Sequence, residues 1–172
     1  GIDLEIRKGE CIILTGESGC GKTTLTRCLN GLIPNFFEGT LTGEILYEGV
    51  PVNKLEQYEL SRKIGTVFQD PRSQFFAVNT TDEVAFGCEN LAFSTERINQ
   101  NVDAAFSRMN IDVLRDRSLF GLFSGEKQRL AVASIYAMDT DVIVLDEPTA
   151  NLDGETIQNL RELLFTLKAE GK

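Results

Sequence analysis

The run Gly16-Glu17-Ser18-Gly19-Cys20-Gly21-Lys22-Thr23-Thr24 constrains this chain more than any other stretch. It matches G-x-x-x-x-G-K-[ST] in full. It also stands directly after the apolar run Cys11 to Leu14 and ahead of a helical pattern, the strand–loop–helix context that the pattern needs. A glycine-rich loop can turn its backbone N–H groups inward around phosphate oxygens. A helix beginning near Lys22 adds the positive end of its dipole at the same point. The loop therefore predicts a nucleotide phosphate site in which Lys22 meets the β- and γ-phosphates and the Thr23 hydroxyl ligates Mg²⁺.

The rest of the composition limits what such a loop can serve. A chain of 172 residues is about one domain, and 42% apolar with 25% charged residues speaks against disorder and against a fibrous class. The longest mainly apolar stretch, Leu130 to Met138, falls far short of the roughly 20 residues of a membrane span, so any membrane role is expected through a partner. With 17 Lys and Arg against 26 Asp and Glu, the net charge of -9 argues against a nucleic-acid surface. Cys11, Cys20, Cys28 and Cys88 show no C-x-x-C spacing, which suggests neither a zinc site nor a disulfide framework but a reduced, cytosolic setting. The chain opens at Gly1 inside a strand pattern and stops at Lys172 after a helix, so it is expected to be a fragment.

In order along the chain, Ile2 to Ile6 alternates as a strand. Cys11 to Leu14 reads as a strand buried on both faces, and Lys8-Gly9-Glu10 joins the two. Leu25, Cys28, Leu29 and Leu32 share one helical face, with Gly31 placed for a left-handed cap. Glu44 to Tyr47 reads as a strand, Leu55 to Leu60 as a short helix, and Ile64 to Phe68 as an apolar strand that Pro71 forbids from continuing. Thr80 and Glu83 form a capping-box pattern, followed by apolar residues at helical spacing as far as Met109. Further helices are expected over about Gly125 to Met138 and along Ile157, Leu160, Leu163, Leu164 and Leu167. The whole, residues 1–172, reads as one α/β domain with a helical insert at about 72–135.

Between those last two helices, Val142 to Leu145 is a buried strand that delivers Asp146-Glu147 at its C-terminal end. Open parallel sheets bind ligands at that edge. A carboxylate there is costly unless a cation or strong donors meet it, so Mg²⁺ is the economical partner of Asp146. Glu147 would orient an attacking water and take its proton.

One more run separates families: Leu122-Phe123-Ser124-Gly125-Glu126-Lys127-Gln128-Arg129, ahead of the third helix. Here the chain resembles the ABC ATPase family, whose signature reads LSGGQ or LSGGE followed by KQR. The resemblance covers essentially the whole chain. Gly16 to Thr24 corresponds to the Walker A loop, Gln69 to the Q-loop, Asp146-Glu147 to the Walker B end, and Asn151-Leu152-Asp153 to the D-loop. Gly31 to Gly39, Val67 to Phe75 and Glu83 to Gly87 are similar to energy-coupling factor ATPases, which drive uptake of vitamins and metal ions.

The resemblance implies a P-loop fold of ABC type, with a mainly parallel sheet, an antiparallel β part and a helical insert. It implies ATP and Mg²⁺ as ligands. Lys22, Gln69, Glu147 and Asp153 would be catalytic, Thr23, Gln69 and Asp146 would hold the metal, and Ser124, Gly125 and Glu126 would touch the nucleotide across a dimer. The partners would be a second ATPase subunit, in a homo- or heterodimer, and an integral membrane transport subunit. The chain would then lie at the cytoplasmic face of the membrane. The insert and Gln69 would carry the coupling.

The departures are as specific as the matches. Phe123 replaces the signature Ser and Ser124 the first signature Gly, so the hydroxyl has moved by one position. The family's adenine-stacking aromatic would lie upstream of Gly1 and its switch His beyond Lys172, and this sequence contains no His. Three classes stay open: the motor of a membrane importer, a non-transport ABC ATPase acting on ribosomes or DNA, and a regulatory ATP-binding module with a degenerate signature.

Overall fold

The computed structural model describes residues 1–150 and 152–172; Asn151 of the expected D-loop lies outside them. Four helices over residues 22–63 and 80–90 frame the first half: α1 (Lys22–Leu29), α2 (Leu32–Asn35), α3 (Gln57–Lys63) and α4 (Thr80–Asn90). Then come α5 (Thr95–Arg108), α6 (Ser124–Ala137) and α7 (Gly154–Ala169). Strands β1 (Leu46–Tyr47) and β2 (Val50–Pro51) form an antiparallel hairpin, while β3 (Ile64–Val67) and β4 (Val142–Leu145) pair in parallel, Ile64 opposite Val142 and Val67 opposite Leu145. Tyr47 donates its hydroxyl to Asp141 at 2.6 Å and so ties the hairpin to the start of β4.

The core is centred on α6, the helix rich in small residues. Leu130, Ala131, Val132 and Ala133 are fully buried there, packed with Val84 and Cys88 of α4 and with Ala105 and Phe106 of α5. Each large apolar side chain so buried contributes about 1.5–3 kcal/mol. Small residues set the approach distances. A Cβ on Gly65 of β3 would lie 2.3 Å from Ile135 Cγ2 of α6, and one on Gly87 of α4 would meet Met138 at 2.6 Å.

Several expectations change. Neither Ile2–Ile6 nor Cys11–Leu14 is a strand, and Ile13 is 80% exposed. An apolar pattern reports which faces favour burial, but a strand also needs a neighbour for its ladder. Here β4 pairs with β3, and no described strand pairs with the N-terminal runs. The turn between those runs does form, with Glu10 N donating to Arg7 O and Gly9 at φ 77. On α1 the apolar face is only half-covered. The buried residue is Thr26, and a buried Asn30–Thr66 hydrogen bond of 3.2 Å joins the end of α1 to β3.

The cap of α4 is Asn79, whose side chain accepts from Asp82 N, rather than Thr80. Thr80 instead donates its hydroxyl to Leu114 O at 2.6 Å, and Glu83 turns back to Phe76 and Ala77. Both side chains found tertiary partners that outcompete the local box.

Candidate functional site

The phosphate loop is an exposed turn leading into α1. Gly19 (φ 81) and Gly21 (φ 99) are left-handed, which is why glycine recurs there. No side chain caps α1, so its first-turn amides keep no acceptor of that kind. Lys22 stands at the first helical position, the wrong end of the dipole for a cation, which favours an anion joining it. Its Nζ donates to Gly16 O and Glu17 O at 3.0 Å each, so it folds back over the loop.

Beside the loop, the parallel pair β3–β4 brings two acidic residues and an amide to one edge. Asp146 N donates to Val67 O at 2.9 Å, which extends the ladder and leaves Asp146 5% exposed. Thr23 Oγ1 donates to Asp146 Oδ1 at 3.1 Å across 123 residues of chain. Gln69, two residues beyond β3, donates its Nε2 to Glu147 Oε2 at 2.7 Å. The other oxygen of Glu147 lies 3.9 Å from Lys22 Nζ. Glu147 itself is left-handed at φ 48, a conformation costly for a residue with a Cβ and held here by the turn that Ala150 N closes onto its carbonyl.

Lys22, Thr23, Gln69, Asp146 and Glu147 therefore meet around one point. Thr23, Gln69 and Asp146 border a cleft of about 380 Å³ that Arg27 and Phe37 also line, the guanidinium stacked 4.3 Å above the ring. The only hint of Arg27 in the sequence is that it follows Thr23 by four residues, one helical turn along the same face.

The remaining expected residues form a second group. Ser124 opens α6, and Glu126 reaches back to accept from Phe123 N at 2.8 Å while Arg117 stands 3.6 Å away. A Cβ on Gly125 would lie 2.9 Å from Thr156 Oγ1, so the start of α6 presses on the start of α7. Asp153 caps α7 by accepting from Thr156 N at 2.7 Å, and the hydrogen bonds from Thr156 hold its carboxyl below the usual range. None of Ser124, Gly125, Glu126 or Asp153 bonds to Lys22, Thr23, Gln69, Asp146 or Glu147 among the described residues.

The donor set around Thr23 and Asp146 is hydroxyl and carboxylate oxygen, hard ligands of the kind Mg²⁺ takes. Among the described residues no three His, Cys, Asp or Glu side chains cluster as a self-sufficient cage. An ion there would complete its shell with phosphate and water oxygens, which is how Mg²⁺ is commonly bound beside a nucleotide. No described helix is long and apolar enough to cross a membrane.

Known proteins with this sequence pattern agree. The chain is 47% identical over 171 residues to a putative ABC transporter ATP-binding protein of Treponema denticola, covering 99% of this chain and 35% of that protein. It is 39% identical over 170 residues to the putative HMP/thiamine import ATP-binding protein YkoD of Bacillus subtilis, covering 98% and 31%. The chain thus spans about a third of the length of these curated relatives. The structure of CbiO1 from Clostridium perfringens, part of the ABC transporter complex CbiONQ, superposes with a TM-score of 0.87 at 34% identity, covering 99% of this chain and 67% of that one. Residues 1–150 match the ABC transporter family model, and with the phosphate loop beside an acidic strand end this chain belongs to the ABC transporter ATP-binding family.

Proposed function

We propose that this chain is the ATP-hydrolysing unit of a membrane importer for a vitamin or metal ion, working in a head-to-tail pair of ATPase units. The observation that carries the reading is the convergence of Thr23 on Asp146, and of Gln69 and Lys22 on Glu147, at the ends of the paired strands β3 and β4. The names of YkoD and of the complex that holds CbiO1 support import and a membrane partner.

In this reading the amides of Gly16 to Thr24 cradle the phosphates and Lys22 swings from its two carbonyls to the β- and γ-phosphates. Thr23, Asp146 and Gln69 would hold Mg²⁺, which would supply positive charge against the phosphates. Glu147 accepts a proton from the attacking water, and Gln69 orients that carboxylate. Ser124, Gly125, Glu126 and Asp153 complete the site of a second unit, with the amides at the start of α6 facing its γ-phosphate.

A second reading has its own observation. Phe123 is 76% exposed where a signature hydroxyl would stand, which fits a regulatory unit whose own signature supports little turnover. Both readings are tested by reconstituting the full-length protein with its membrane partners in vesicles. ATP-dependent solute uptake abolished by Lys22→Ala supports the importer. Uptake that survives it supports the regulatory unit, and turnover stimulated by ribosomes or DNA without vesicles contradicts both.

A further inference from the structure

We propose that Glu83 is a positioning residue for ATP turnover. From the first turn of α4 it fastens the strap of chain, residues 68–77, that holds Gln69 against Glu147. The proposal rests on the ATPase site described above.

Glu83 is 3% exposed, and among the described residues no Lys or Arg forms an ion pair with it. Burial pushes its carboxyl above the ordinary range, against the opposing pull of two backbone amides. A lone ionisable group in such a place costs stability, and an apolar side chain would suit the neighbouring Val84 and Cys88 better. What the carboxylate adds is an acceptor. Its Oε2 takes both Phe76 N, at 2.8 Å, and Ala77 N, at 2.9 Å.

Those amides end the strap. At its start, Phe68 N donates to Gln74 Oε1 at 3.1 Å. In between, Asp70 accepts from Arg72 N at 3.0 Å and Ser73 Oγ donates to Asp70 O at 2.8 Å. These ties lie within the strap and make it stiff, while Phe75 packs against the core and Pro71–Ser73 against α6. The polar anchor to the core is Glu83, assisted by Phe76 stacked on Phe86 of the same helix at 5.0 Å. The helix is itself locked down, with Cys88 Sγ donating to Ala137 O at 3.1 Å and Gly87 closed against Met138. A stiff strap with a fixed far end gives Gln69 one position, and that position is 2.7 Å from Glu147. Freed at Phe76 and Ala77, the strap lets the amide wander while the phosphate loop is untouched.

The test is a double-mutant cycle on the full-length protein in its assembled complex, reading kcat, KM and the MgADP dissociation constant. Glu83→Ala is expected to lower kcat about tenfold, a typical cost of misplacing a catalytic neighbour, with KM and MgADP affinity within about twofold of wild type. Gln69→Ala added to it lowers kcat no further than Gln69→Ala alone, because both act through one amide. Glu83→Gln keeps an uncharged acceptor and gives an intermediate kcat. Losses that multiply, a KM that moves with kcat, or an unaffected Glu83→Ala would overturn the proposal.

Amide hydrogen exchange in Glu83→Leu, which keeps the volume and removes the acceptor, is the second arm, and it stands even if the alanine variant does not fold. Phe76 and Ala77 are expected to exchange several-fold faster while α6 amides keep their wild-type protection. Unchanged exchange at those two amides removes the clamp. Wild-type protein without ATP turnover would instead sink the ATPase reading, and the exchange arm would still decide whether Glu83 fastens the strap.

Discussion

Gln69 Nε2 and Glu147 Oε2 are joined at 2.7 Å across the ends of two neighbouring parallel strands, although 78 residues of chain separate them. The amide occupies one oxygen of Glu147 while Lys22 lies 3.9 Å from the other, so the carboxylate is aimed before any substrate arrives. A group so placed to take a proton typically contributes 10²–10⁴-fold to a rate. Glu147→Gln in the full-length protein is therefore expected to cut phosphate release by about 10² or more while MgADP affinity holds. Turnover within threefold of wild type would remove Glu147 from that role.

Gly65→Ala probes the packing that aligns those strands. The added Cβ meets Ile135 Cγ2 at 2.3 Å and Thr140 Oγ1 at 2.9 Å, so β3 must move away from α6. Overpacking of this kind costs about 1–3 kcal/mol, and thermal unfolding should show a melting temperature lower by roughly 2–10 °C. An unchanged melting temperature would mean that the β3–α6 contact is loose.

The cysteines divide by environment. Cys88 is fully buried, donates to Ala137 O and has its thiol pushed up to about 11 by burial, whereas Cys20 is exposed with Lys22 Nζ 3.9 Å away. Thiolate is the reactive form, so at pH 8 iodoacetamide is expected to modify Cys20 and spare Cys88 in the folded chain. MgADP should protect Cys20 and leave the exposed Cys11 unprotected. Mass spectrometry of the labelled peptides reads both; labelling of Cys20 indifferent to nucleotide would place the phosphates elsewhere.

Phe123→Ser restores a hydroxyl at the start of α6. The ring is 76% exposed, so its loss should change stability by no more than about 0.5 kcal/mol. In the full-length assembly the variant is expected to raise kcat at the site this signature completes, with nucleotide affinity of this chain's own loop unchanged. Unchanged or lower turnover would show that Ser124 suffices or that the ring packs on a partner.

The sequence made some of this site plain and hid the rest, for physical reasons. The loop Gly16 to Thr24 is a local device, complete in nine residues, and Asp146-Glu147 announces itself because a carboxylate ending an apolar strand needs a partner. The Gln69–Glu147 bond was out of reach, since it depends on the register of β3 with β4. The role of Glu83 is hidden for a related reason. With Thr80 it fits a capping box, but the amides of Phe76 and Ala77 come from tertiary folding and local spacing does not announce them. Ile2–Ile6 and Cys11–Leu14 read as strands from their side chains alone, while pairing, which makes a strand, is a property of neighbours.

The most direct test is calorimetric titration of MgADP into the 172-residue chain beside its Lys22→Ala variant. Lys22 Nζ rests on Gly16 O and Glu17 O, within reach of any phosphate the loop takes up. A charged hydrogen bond of this kind is worth about 1.5–3 kcal/mol, or roughly a factor of 10–100 in dissociation constant. Saturable binding of one MgADP per chain is expected, weakened by at least about tenfold in the variant. Equal binding by both proteins, or none by the wild type, would contradict it.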